Sequence, residues 1–197
     1  GHGKSPDRTE ANTTESYLAD IEEIAKKYNK PVIAGHSMGG MLAQLFALRY
    51  PDLISGIILV GTGARLRVAP FIFEAIDNNF EEYVEGAGNF MFYEDASKEL
   101  IEASKKEISK CKPAIIRRDF AACDGFDIME IISEISLPTL IIVGEHDIMT
   151  PVKYSKYLHD SIPNSTMHII EKAGHSVMLE QPSEFNDHVK DWMKTLF

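Results

Sequence analysis

The hexapeptide GHSMGG at residues 35–40 joins a short apolar run to a helical pattern, and this junction constrains the fold more than any other feature. Residues 31–34 have the length and the β-branched content of a strand that is buried on both faces. Residues 41–50 repeat apolar side chains at helical spacing and are followed by Pro51. The hexapeptide is therefore predicted to be a strand-to-helix turn with Ser37 at its tip.

A serine on such a turn is well placed to act as a nucleophile. The tight turn strains its backbone, and small neighbours allow the flanking segments to come close. Gly35 and Gly39 are predicted to provide this space. The following helix directs its free N–H groups and its positive dipole end towards Ser37. These groups can stabilise the negative charge that develops on a carbonyl oxygen under attack.

Further strands and helices alternate along the rest of the chain. Buried strands are predicted in addition at residues 54–60, 138–144 and 166–170, and helices at 14–28, 151–161 and 183–196. Asn12 or Thr13 is the predicted N-cap of the first of these helices. This alternation of strands and helices predicts an α/β fold with a mostly parallel sheet covered on both faces.

The pattern changes between the second and third strands, where only helical stretches follow one another. They are predicted at residues 70–83, 96–110, 113–123 and 128–135. We therefore predict an α/β core made of residues 1–63 and 136–197, with a helical insertion at residues 64–135.

Candidate partners of Ser37 follow the third and fourth strands. A serine nucleophile needs a base, and the base needs a carboxylate that orients it. Because functional groups collect at the carboxyl ends of parallel strands, Asp147 and His175 are the best candidates. Glu145 is an alternative acid. His36, next to the nucleophile, is predicted either to line a substrate pocket or to pack in the core.

These segments resemble the α/β-hydrolase family, in its esterase-like branch. GHSMGG resembles the family's nucleophile elbow, GEHDIMTP at 144–151 its acid loop, and AGH at 173–175 its histidine loop. The resemblance implies a Ser37–His175–Asp147 triad, with the Met38 N–H as one oxyanion donor and residues 64–135 as a cap. It implies a carboxylesterase for small to medium, apolar substrates, which works through an acyl-enzyme without a cofactor. Lactone opening, C–C bond hydrolysis and a non-catalytic small-molecule receptor remain alternatives.

The resemblance begins in the middle of the family's fold. Residues 1–7 resemble the loop after its fourth strand, although Gly1 and His2 alone also fit a purification-tag remnant. In the family, the strand that carries the nucleophile pairs with a strand from an earlier part of the chain. The second oxyanion donor also comes from that earlier part. We therefore expect the strand at 31–34 to lie at an exposed edge or to pair with another chain. An amino-terminal segment or a second chain is expected to complete the sheet.

Composition limits the other classes of function. With 20 Lys and Arg against 30 Asp and Glu, the chain has a formal net charge of −10 and repels nucleic acid and anionic membranes, so neither is an expected partner. No apolar run has bilayer length, and the residues given show no signal-peptide pattern, although a removed leader stays an alternative because they do not begin with Met. Two cysteines make no disulfide framework and fit a reducing cytoplasm. The spacing of His and Cys predicts no metal site.

Overall fold

Four short runs of aliphatic residues form one parallel sheet. The computed structural model describes residues 1–7 and 13–196, and within them the strands lie in the order β1-β2-β3-β4. The strands are β1 (Val32–His36), β2 (Gly56–Val60), β3 (Thr139–Gly144) and β4 (Ser165–Ile170). Every neighbouring pair is parallel, and all four strands therefore end at the same edge of the sheet. The predicted α/β architecture is confirmed.

Helices connect the strands and cover the sheet. They are α1 (Thr13–Ala25), α2 (Met38–Arg49), α3 (Pro70–Asn78), α4 (Phe80–Met91), α5 (Lys98–Ile108), α6 (Pro113–Asp124), α7 (Val152–Ser161), α8 (Val177–Glu180) and α9 (Pro182–Met193). Thr13 is the first residue of α1, and the alternative N-cap, Asn12, lies outside the described residues. Within residues 1–7 and 13–196, the helices are too short or too polar to cross a bilayer.

The two faces of the sheet are buried in separate cores because successive strand residues point in opposite directions. From β2, Ile57 and Leu59 join the core under α1, α2 and α7, where Phe46 is fully buried. Ile58 and Val60 join the core on the other face, where α8 and α9 contribute side chains such as that of Trp192. Burial on both faces explains why β2 and β3 have no alternation of polar and apolar residues.

β1, which leads into Ser37, lies at one edge of the sheet that the described residues form. It pairs with β2 over five residues, and Ala34 in its middle is exposed. This agrees with the expected edge position. Pairing of β1 with an upstream segment or a second chain stays a prediction.

The helical insertion between β2 and β3 contains α3 to α6, with two departures from the predicted helices. The first helix ends at Asn78 because the backbone of Asn79 leaves the helical region (φ −153°, ψ 77°) and its side chain accepts a hydrogen bond from the Glu82 N–H, capping α4. Residues 128–135 form turns and the 3₁₀ helix Ile132–Glu134 instead of an α-helix, and the Ile128 N–H donates to the carbonyl of Ala64. That the insertion acts as a cap over a core of residues 1–63 and 136–197 stays a prediction.

Candidate active site

Ser37 occupies the turn between β1 and α2 in a conformation that is rare for a residue with a side chain. Its φ is 52° and its ψ is −113°. Two contacts with the end of β2 hold it there. The Ser37 N–H donates to the carbonyl of Val60 at 2.9 Å, and the Thr62 hydroxyl donates to the Ser37 carbonyl at 2.9 Å. The strained turn is therefore fixed by the neighbouring strand.

Two glycines, Gly35 and Gly40, allow the close packing of this turn, whereas the predicted pair was Gly35 and Gly39. A Cβ on Gly35 would collide with the backbone carbonyl of Gly39. A Cβ on Gly40 would lie 2.5 Å from the Thr62 methyl carbon, whereas a Cβ on Gly39 would have no other segment of residues 1–7 and 13–196 within 4 Å. The prediction that Gly39 provides space was wrong, because α2 turns Gly40, and not Gly39, towards β2.

Met38 is the first residue of α2, so the helix contains no acceptor for its N–H. This N–H lies at the positive end of the helix, immediately after Ser37. The backbone therefore offers a donor of the kind that binds an oxyanion.

Asp147 and His175 form a buried hydrogen-bonded pair at the carboxyl ends of β3 and β4. Asp147 Oδ2 lies 2.9 Å from His175 Nδ1, and the two residues are 4% and 2% exposed. The Thr150 hydroxyl donates to the same oxygen at 2.7 Å. The other oxygen, Oδ1, accepts the N–H groups of Met149 and Thr150 at 2.9 and 2.8 Å. The carboxylate is thus held on both oxygens.

These contacts determine the charge of Asp147 and the tautomer of His175. Burial acts to raise the pKa of Asp147, but the hydrogen bonds from His175 and Thr150 and the charge of His175 outweigh it and lower that pKa. An ionised Asp147 accepts a hydrogen bond from the N–H at Nδ1 of His175, which keeps the proton on that nitrogen. Nε2 of His175 is therefore the nitrogen left to accept a proton from another group.

Gly61, directly after β2, lies beneath this pair. Its φ is +50°, and a Cβ here would come within 3.2 Å of Asp147 Oδ2 and 3.3 Å of His175 Nδ1. Any other residue would be strained and would crowd both groups. The contacts of Gly61, Thr62 and Thr150 were not predicted from the sequence.

His36 packs against His175. The centroids of the two rings are 4.5 Å apart, and His36 Nε2 lies 2.9 Å from the His175 backbone carbonyl, to which it donates. Burial lowers the pKa of His36 to about 4, and the charge of His175 contributes to this shift. His36 is therefore neutral at pH 7. Its lining of a substrate pocket stays a prediction.

The alternative acid, Glu145, is not part of this hydrogen-bonded pair, and neither His168 nor Cys123 resembles a catalytic group. Glu145 is exposed, with its carboxylate 3.4 Å from the ring of its neighbour His146. His168 in β4 stacks on His188 of α9 at a centroid distance of 3.8 Å. Burial raises the pKa of Cys123 to about 12, so its thiol is protonated and a poor nucleophile.

Comparisons with known proteins identify similar chains. The model of the family described as serine aminopeptidase, S33, matches residues 1–182. A solved structure of a thermophilic esterase is 38% identical, with a TM-score of 0.90, and the match covers 99% of this chain and 78% of that one. Pimeloyl-[acyl-carrier protein] methyl ester esterase from Neisseria meningitidis is 23% identical over 209 residues, covering 98% of this chain and 80% of the relative. Karrikin insensitive 2 receptor IA from Petunia hybrida is 23% identical over 178 residues, covering 84% and 64%.

Proposed function

Because the chain belongs to the serine aminopeptidase S33 family of α/β-hydrolase-fold hydrolases, we propose that it is a carboxylesterase with Ser37 as its nucleophile. The proposed substrate is a small to medium, apolar ester. The 38% identity to a thermophilic esterase supports an ester as the bond that is cleaved.

In the proposed first half-reaction, His175 Nε2 takes the proton of the Ser37 hydroxyl while Oγ attacks the ester carbonyl carbon. The carbonyl oxygen becomes an oxyanion, and the Met38 N–H donates to it. Asp147 stabilises the imidazolium that forms, and its own carboxylate stays ionised. His175 then gives the proton to the departing alkoxide oxygen, which leaves as an alcohol, and the acyl group remains on Ser37.

In the second half-reaction, His175 removes a proton from a water molecule, whose oxygen attacks the acyl carbon. The tetrahedral intermediate collapses, the Ser37 oxygen leaves and recovers the proton from His175, and the carboxylic acid departs. The residues named here supply every proton transfer, and no cofactor is required.

The buried Asp147–His175 pair is the observation that carries this proposal. A carboxylate that accepts four hydrogen bonds, one of them from an imidazole, is fixed in orientation and charge. Such a pair leaves Nε2 of His175 as a base. The strained turn at Ser37 supports the same mechanism, since strain of this kind is found at nucleophile elbows.

A fluorophosphonate probe tests the nucleophile, and a series of p-nitrophenyl esters of increasing chain length tests the reaction. We expect one covalent adduct, on Ser37, and multiple turnovers with the shorter esters. Ser37→Ala should abolish both, whereas Ser55→Ala, which changes a serine before β2, should abolish neither. An adduct on another residue would contradict the assignment of Ser37.

A small-molecule receptor is the second candidate, and the similarity to karrikin insensitive 2 receptor IA favours testing it. A receptor on this fold would bind its ligand and turn over esters slowly or only once. Steady-state hydrolysis that continues for hundreds of turnovers per molecule would argue for the esterase, and a single burst equal to the protein concentration would argue for the receptor.

A further inference from the structure

The loop that carries His175, residues 171–176, is held by backbone hydrogen bonds from several directions. We call it the histidine loop. The Ala173 carbonyl accepts from the N–H of His146, which follows β3, at 2.9 Å. The Ser176 N–H donates to the carbonyl of Met91, the last residue of α4, at 2.9 Å. The histidine loop therefore contacts both the sheet and the helical insertion.

One carboxylate connects the same two parts. Glu180, the last residue of α8, accepts the Gly174 N–H on Oε1 at 2.9 Å and the Tyr93 N–H on Oε2 at 2.7 Å. Gly174 directly precedes His175, and Tyr93 follows α4. Hydrogen bonds to an ionised carboxylate are about twice as strong as those between neutral groups. Glu180 thus ties the catalytic histidine to the end of α4.

The backbone around Gly174 is packed too closely for a side chain at this position. A Cβ on Gly174 would lie 2.7 Å from the Tyr93 nitrogen, so the two backbones touch directly. On the other side, a Cβ on Gly144, at the end of β3, would collide with the Gly174 carbonyl. Gly174 is therefore enclosed between the sheet and the insertion, and the Glu180 carboxylate satisfies the N–H groups that meet there.

We propose that Glu180 is a positioning residue that fixes His175 relative to the helical insertion, so that a movement of the end of α4 changes the geometry of the base. This inference rests on the proposed esterase function. It requires both carboxylate oxygens, because the two N–H groups approach different oxygens. A glutamine offers one acceptor oxygen and turns an NH₂ group towards the second N–H.

The test compares Glu180→Gln and Glu180→Ala with Glu171→Gln and Glu171→Ala, which change an exposed glutamate of the same loop. For p-nitrophenyl acetate we expect kcat to fall about tenfold to a hundredfold in the Glu180 variants, with KM almost unchanged, as for a lost charge-assisted hydrogen bond. The Glu171 variants should keep the wild-type kcat. Hydrogen exchange resolved to single amides should show faster exchange at both Gly174 and Tyr93 in the Glu180 variants.

These readouts separate positioning from stability and from the function itself. Folded Glu180 variants that have a lower Tm and a wild-type kcat at 25 °C would overturn the proposal, as would unchanged exchange at Gly174 and Tyr93. If Glu180→Ala does not fold, the nearly isosteric Glu180→Gln decides alone. If the wild-type protein neither turns over esters nor reacts with the fluorophosphonate, the proposed esterase function is wrong. The positioning role of Glu180 is then wrong as well, even if the exchange data show both of its hydrogen bonds.

Discussion

His36 should make the stability of the protein depend on pH in mildly acidic solution. In the unfolded chain a histidine takes up a proton below a pH of about 6.5. In the folded protein its pKa is about 4, mainly because the surrounding protein desolvates the half-buried ring and also because of the charge on His175. The hydrogen bond to the His175 carbonyl and the charge of Asp147 act in the opposite direction without cancelling the shift.

The sign and the magnitude follow from this difference. Between pH 6.5 and 4 the unfolded chain holds the additional proton, so the free energy of unfolding falls as the pH falls. At about 1.4 kcal/mol for each pKa unit, the decrease attributable to His36 reaches about 3 kcal/mol at pH 4 and levels off at lower pH, once the ring is protonated in the folded protein as well. Above pH 6.5 the ring is neutral in both states and contributes no pH dependence.

Urea unfolding of the wild type and of His36→Gln between pH 7.5 and 4 measures this effect. Glutamine keeps an N–H donor for the His175 carbonyl but does not titrate, so the wild type should lose about 3 kcal/mol more than the variant. Ile57→Val, a change in the buried core, is the control and should lower stability by about 1 kcal/mol at every pH. A difference between the wild type and His36→Gln that stays constant over this range would refute the reasoning.

Other changes test the active site and its turn. Asp147→Asn should lower kcat by about 10⁴, as for a triad acid in another enzyme, with an unchanged circular dichroism spectrum; a kcat within tenfold of the wild type would count against its role. Gly61→Ala should lower the free energy of unfolding by about 1–3 kcal/mol, because φ is positive there and the new methyl group crowds Asp147. Gly40→Ala should destabilise by a similar amount, whereas Gly39→Ala should leave the stability equal or higher, since its Cβ would meet no other described segment and alanine favours a helix over glycine. Equal effects at Gly39 and Gly40 in thermal unfolding would contradict the packing described for the turn.

Sequence patterns predicted the sheet and the positions of the candidate residues because both depend on local signals. Ser37, Asp147 and His175 each follow a strand, and aliphatic runs reveal strands that are buried on both faces. The parallel sheet then brings Asp147 and His175 to one edge, where they form a hydrogen bond.

The remaining features depend on contacts between distant segments. Gly40 rather than Gly39 is close to Thr62, and this can be known only once the start of α2 and the position of β2 are known. Glu180 appears in the sequence as one acidic residue near the end of a short helix. Its role emerges only when α4 and the histidine loop are placed on either side of it.

Because β1 lies at an edge of the described sheet, the proposed nucleophile and the proposed acid–base pair belong to different parts of that sheet, and these parts need not unfold together. Asp147 and His175 follow β3 and β4, which pair over six residues, whereas Ser37 follows β1, which is joined to the described sheet through β2 alone. A local opening of β1 would remove the nucleophile and leave the acid–base pair assembled. Trp192, the single tryptophan, packs in the core against β2 and β3, on the face opposite α2. For the chain of residues 1–197 alone, loss of ester hydrolysis should therefore occur at a lower urea concentration than the change in tryptophan fluorescence, and inactivation would then report the fraying of β1 rather than the unfolding of the protein.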